Sequence, residues 1–174
     1  MTDVIEILNQ KGIKKIDARK LIIEAVSDGS FSLADFESRA GELKDKQIAT
    51  FLEAVEAVTG QSSDALGIEY LRFAEKYILS ENNSCKREAS RIVGNMAAGY
   101  PDALDSAVSA LLKNTSDSGT VVRWGSAYAL ARIIVLDKYK NSELLNAVEK
   151  ICEAEQESGV KNQYVKALKK LKKK

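Results

Sequence analysis

The residues best equipped for chemistry are concentrated in GTVVRWGSAYALARIIV, positions 119–135, where Arg123 and Trp124 open a nearly continuous apolar run. An arginine beside a tryptophan can grip a carboxylate or phosphate, stack on an unpaired base, or anchor a protein interface. Catalytic alternatives are scarce. The chain has no histidine, so no imidazole base is on hand near neutral pH. It also lacks the glycine-rich phosphate loops and the G-x-S-x-G nucleophile elbow. The acid pairs Glu53/Glu56 and Glu153/Glu157 fall on solvated helix faces, and Ser90 and Ser126 fall on packed ones. Cys85 and Cys152 lie in apolar helical patterns as small buried residues, not as a bridge or a metal site. The residues predict a protein that is not an enzyme and holds no cofactor or metal.

Charge narrows the class of partner. Net charge is +1, but residues 1–80 carry 10 basic and 14 acidic side chains. The positive excess sits in the last fifteen residues, VKNQYVKALKKLKKK, with seven lysines and no acid; without them residues 1–159 sum to −6. A mildly acidic body is poorly suited to a polyanion groove. The lysines suit a terminal cap whose stripe Val160, Tyr164, Leu168 and Leu171 docks inward, with a weak anionic tether as the alternative. The N-terminus has neither a signal peptide nor a membrane anchor, which predicts a cytoplasmic protein.

The elements that position these residues are helices. One proline, ten glycines and apolar residues at helical spacing predict an all-α chain. Short helices open around Val4–Leu8, Leu21–Val26 and Leu33–Leu43, followed by longer segments near 45–59, 64–80, 84–98, 102–115, 120–136, 142–156 and 159–172. The longer segments repeat. CKREASRIVGNM (85–96) aligns with VRWGSAYALARI (122–133) at an offset of 37, and VKNQYVKALKKL (160–171) follows at 38. Leu104, Val108, Leu111 and Leu112 likewise correspond to Leu144, Val148, Ile151 and Cys152. Two helices per period mean stacked hairpins, because one hairpin cannot bury both of its apolar faces.

VRWGSAYALARI, with Asp117 shortly before it, resembles the HEAT repeat. The resemblance implies a right-handed α-α superhelix of about three hairpins in a single domain, 1–174. An N-terminal helical cap occupies 1–44, repeats 45–159, and a half-repeat 160–174. It also implies a structural ladder in which the basic slot, Lys86, Arg123 and Lys161, pairs with acids of neighbouring units such as Asp117 and Glu157.

Within this frame Trp124 and Tyr128 fall beside Arg87 and Arg91 of the preceding unit, a spacing suited to cation–π stacking. Buried, the row is a joint between units; exposed, Arg87, Arg91, Trp124 and Tyr128 form a candidate binding patch. HEAT-like proteins are mostly scaffolds, so the expected function is a monomeric or weakly self-associating adaptor for a protein or peptide. Its curved face is expected on the second helices of the hairpins, with Glu69, Arg72, Asp105, Ser109 and Lys113 pointing outward. The alternative is a nucleic-acid-binding protein related to DNA-alkylation-repair glycosylases, which use an aromatic residue, an aspartate and an arginine, types offered here by Trp124, Asp117 and Arg123.

Overall fold

The computed structural model describes residues 1–173; Lys174, the last of the lysine-rich end, lies outside the described residues. Ten α-helices are packed against one another, and no strand occurs among the described residues. In chain order they are α1 (Val4–Asn9), α2 (Lys15–Ser27), α3 (Leu33–Arg39), α4 (Asp45–Thr59) and α5 (Ile68–Glu75). Then come α6 (Asn83–Met96), α7 (Asp105–Asn114), α8 (Thr120–Ile133), α9 (Glu143–Ala154) and α10 (Ser158–Lys172). The even-numbered helices form a row in which α2 packs on α4, α4 on α6, α6 on α8 and α8 on α10. α5 and α7 pack against α6 and α8 and touch each other, and α9 packs on α10. This arrangement is compatible with a helical repeat.

Local chemistry starts the helices where the polar residues stand. Asp3 accepts the N–H groups of Ile5 (2.9 Å) and Glu6 (3.1 Å). Ser32 accepts that of Asp35 (3.2 Å), and Asn82 those of Ser84 (3.0 Å) and Cys85 (3.1 Å). Each satisfies donors that a helix start leaves orphaned. The segment expected over 64–80 contracts to α5. Its C-terminal turn tightens to i−3 bonds at Lys76 and Tyr77, and buried Asn114 from α7 reaches back to the Ile78 carbonyl at 2.6 Å. Those contacts replace the helical bonds that the periodicity suggested.

The core runs the length of the row. Leu52, Val55, Ala89, Ile92, Val93, Leu130 and Ile133 are all fully buried. At the N-terminal end, Phe36 of α3 stacks on Phe51 of α4 at 4.0 Å, and Phe51 meets Phe73 of α5 edge-on at 5.4 Å. Leu21, expected among the apolar markers of α2, is instead 43% exposed. Cys85 and Cys152 are buried and unbridged, and burial pushes the Cys85 thiol up to about 11, which leaves it protonated and inert.

Candidate functional site

The Arg-Trp pair lies where α8 meets α6. Val122, Ser126, Ala129, Leu130 and Ile133 of α8 are fully buried, while Trp124 and Tyr128 are half-buried at the edge of the row. Two glycines permit the close approach. A Cβ on Gly94 would lie 2.9 Å from the Ala129 Cα, and one on Gly125 would lie 3.1 Å from the Cα and carbonyl oxygen of Arg87. Any larger residue would have to push backbone against backbone.

This contact assembles a polar seam across three helices. The Arg91 guanidinium lies 5.8 Å from the Trp124 ring centre and 5.6 Å from that of Tyr128. It also pairs with Glu56 of α4 at 2.7 Å and with Glu88 at 3.1 Å. Arg87 is held by Glu88 at 2.6 Å, and Glu88 is only 2% exposed. The Tyr128 hydroxyl donates to Asn95 Oδ1 at 2.5 Å, while Asn95 Nδ2 donates back to Glu56 and Thr59 of α4. Arg132 stacks on the Tyr128 ring as well, its Cζ 3.4 Å from the ring centre. Of the four patch residues, Arg91, Trp124 and Tyr128 come together, whereas Arg87 turns to Glu88. Glu88, Asn95 and Arg132 complete the seam without having been singled out in the sequence, and Glu56, expected on a solvated helix face, is instead buried against Arg91 because α6 packs over that side of α4. Arg132 stands at i+4 from Tyr128, a signal that could have found it. Glu56 could not have been found so, because its partner lies 35 residues on.

The basic slot forms cross-unit pairs. Lys86 Nζ meets Asp117 Oδ2 at 2.8 Å, and Arg123 reaches both oxygens of Glu155, at 3.0 and 3.4 Å. Glu157, expected as an acid of this ladder, is exposed at the start of α10 and gives way to Glu155. The reason is geometric. Asp117 accepts the Gly119 N–H and Glu155 the Glu157 N–H, so each acid is pinned in the bend that precedes the next helix. Among the described residues Lys161, at the end of the row, meets the backbone carbonyls of Glu153 and Glu155, each at 3.4 Å, in place of a carboxylate.

These carboxylates are acidified. Lys86 and the Gly119 N–H hold Asp117 below its ordinary 3.8. For Glu155, burial pushes upward, but the Arg123 guanidinium and the Glu157 N–H outweigh it and leave the group below 4.5. A carboxyl depressed in the folded state adds stability above its unfolded value, and that stability is lost as pH falls through the folded one. Stability should therefore decline below about pH 4.5 for this pair of acids. Arg123→Ala should cost about 2 kcal/mol at neutral pH, a buried-pair loss discounted for partial solvation, and should flatten the acid limb. Urea midpoints taken across pH check both; an unchanged acid limb in the variant would rule out the pair as its source.

A cleft of ≈ 530 Å³ opens along the carbonyl ends of the row. It is lined by residues 59–63 at the end of α4 and beyond it, by Asn95 of α6, by Tyr128, Arg132 and the apolar pair Val135 and Leu136 of α8 and its exit, and by Lys170 of α10. The curved face was expected on the second helices; the cleft that spans several units lies on the other row. Two of the outward residues of the second row are engaged within the molecule. Arg72 bonds Glu75 and the Ala103 carbonyl, and Asp105 takes Lys138 at 3.3 Å and the Tyr139 hydroxyl at 3.0 Å. Glu69, Ser109 and Lys113 are exposed around them. Among the described residues no group of three or more metal-binding side chains occurs, and no helix is long and apolar enough to cross a membrane.

No protein-family model matches the chain, and no curated protein matches it. Among solved structures, the crystal structure of an engineered protein from the Northeast Structural Genomics Consortium superposes with a TM-score of 0.65 at 16% identity, covering 98% of this chain and 80% of that one. At that identity the likeness concerns the fold alone.

Proposed function

We propose that the chain is a non-catalytic binding scaffold, a short HEAT-like right-handed solenoid that holds a protein or peptide segment. The observation that carries this reading is a cleft to which four successive helices of one row contribute, from residues 59–63 to Lys170. A concave surface assembled from successive helix pairs suits an extended ligand, and packed helices hold it in shape before the ligand arrives. The seam beside the cleft supports the choice of a peptide over a nucleic acid. Arg87 and Arg91 spend their charge on Glu56 and Glu88, and the Tyr128 ring is already contacted by Arg91, Trp124 and Arg132. That leaves neither the Arg87 nor the Arg91 guanidinium free for a phosphate, and Arg91 and Arg132 already lie on the aromatic rings where a base would stack.

The test is selection of a displayed random-peptide library on the folded protein, with Asn95→Arg as the counter-target. Enrichment of related peptides that the variant does not retain is the expected outcome. Retention of single-stranded DNA in a salt-sensitive manner, with no peptide enriched, would remove the adaptor reading in favour of a nucleic-acid binder.

A further inference from the structure

We infer that the cleft takes an extended peptide segment bearing adjacent carboxylates beside one aliphatic side chain, with Arg132 and Lys170 as the residues that read its charge. This rests on the scaffold reading above and specifies its ligand. Two cations line the cleft, and no carboxylate does. Elsewhere, arginine and lysine side chains beside two other cavities are matched by carboxylates. In the ≈ 380 Å³ cavity beneath the N-terminus, Arg39 pairs with Asp3 at 2.6 Å. Beside the α2–α4 groove, Lys15 pairs with Glu53 at 2.6 Å. Lys86, Arg87, Arg91 and Arg123 are paired as well. Arg132 and Lys170 form no ion pair among the described residues.

Arg132 is also held in place. Its Nη1 donates to the Tyr128 carbonyl at 3.1 Å while the guanidinium lies on the Tyr128 ring, so the plane is set and most of its five donors remain to be used. A fixed fork loses less freedom on gripping a carboxylate than a mobile lysine would. Val135 and Leu136, half-buried on the same wall, give an aliphatic side chain its seat.

The helix ends decide between kinds of anion. α4, α6 and α8 all present their carbonyl ends near the cleft, where partial negative charge accumulates. That field opposes a polyanion such as a nucleic-acid strand, which carries charge at every unit and few backbone donors. An extended peptide suits it, because its backbone N–H groups face the carbonyl ends while its carboxylates reach Arg132 and Lys170.

The experiment is fluorescence anisotropy with labelled short peptides of equal length that carry Glu-Glu, Gln-Gln or Lys-Lys ahead of a leucine, alongside a labelled single-stranded oligonucleotide. Each is titrated against the wild type, Lys170→Glu and Arg132→Gln. The Glu-Glu peptide should bind about tenfold more tightly than its Gln-Gln counterpart, as expected of charge-assisted bonds. Lys170→Glu should reduce that preference about fivefold or more, with the loss fading as salt rises. Lys170 is an exposed side chain with no ion-pair partner among the described residues, so a melting curve that matches the wild type separates lost binding from lost fold. Equal binding of Glu-Glu and Gln-Gln peptides overturns the charge assignment while leaving the scaffold reading intact. Binding of the oligonucleotide with no peptide bound overturns both, and failure of every probe overturns the inference.

Discussion

Gly94→Val is expected to destabilise the protein by about 3 kcal/mol, a large share of the 5–15 kcal/mol that typically holds a domain of this size. The cause is where the first added carbon must go. It would sit 2.9 Å from the Ala129 Cα and 3.1 and 3.2 Å from two carbons of the Tyr128 ring. A side-chain tip could swing away, but the α8 backbone cannot, so α6 and α8 must separate. Valine's better helix propensity returns only a few tenths of a kcal/mol, whereas alanine returns about 1, so Gly94→Ala should lose less. Gly159, which has nothing within 4 Å of its notional Cβ, is the control; Gly159→Ala should be neutral or stabilising. The same separation pulls Tyr128 from Asn95 and widens the cleft, so the folded fraction of Gly94→Val should also lose peptide. Urea midpoints for the three variants give the order directly. A Gly94→Val protein that unfolds with the wild type would mean that the helices do not meet as closely as the geometry states.

How far the sequence leads depends on the range over which each feature is encoded. The helices and their repeat were legible because each is written in local spacing: α4 occupies 45–59 as its periodicity predicts, and α6, α8 and α10 start at 83, 120 and 158, close to the 37- and 38-residue offsets. The ladder was half legible. Its basic slot stands at fixed offsets, but its last acid is Glu155 and not Glu157, since a bend in the backbone decides which of two nearby carboxylates faces Arg123. The cleft was not legible. Which row curves around a ligand depends on the angles between helices, and those follow from close contacts such as Gly94 on Ala129 that no single segment records. Residues 1–44 illustrate the same limit. They do not share the repeat's pattern, yet α2 takes its place in the row against α4, because an apolar face covering the first hairpin is all that position requires.

Phe51→Ala should be the most costly single truncation, at about 4 kcal/mol, and its effect should be unevenly distributed along the chain. Phe51 is fully buried between Phe36 and Phe73, with Phe31 at 5.5 Å, so it joins α3, α4 and α5 at one point. Truncation removes the stacked partner of Phe36 and the ring that Phe73 meets edge-on, and leaves a cavity that helices anchored at both ends cannot close. Phe51→Leu, which keeps most of the volume, should cost about 1.5 kcal/mol. In a row where each helix packs mainly on its neighbours, this loss weakens the N-terminal units first. Trp124, the only tryptophan, lies in α8 and reports the C-terminal half. In urea, the far-UV dichroism of Phe51→Ala should therefore begin to fall before Trp124 emission moves, so the two transitions separate. If both instead shift together by the full amount, the ten helices unfold as one body, and the interfaces between units are strong enough to carry the damage from Phe51 to Trp124.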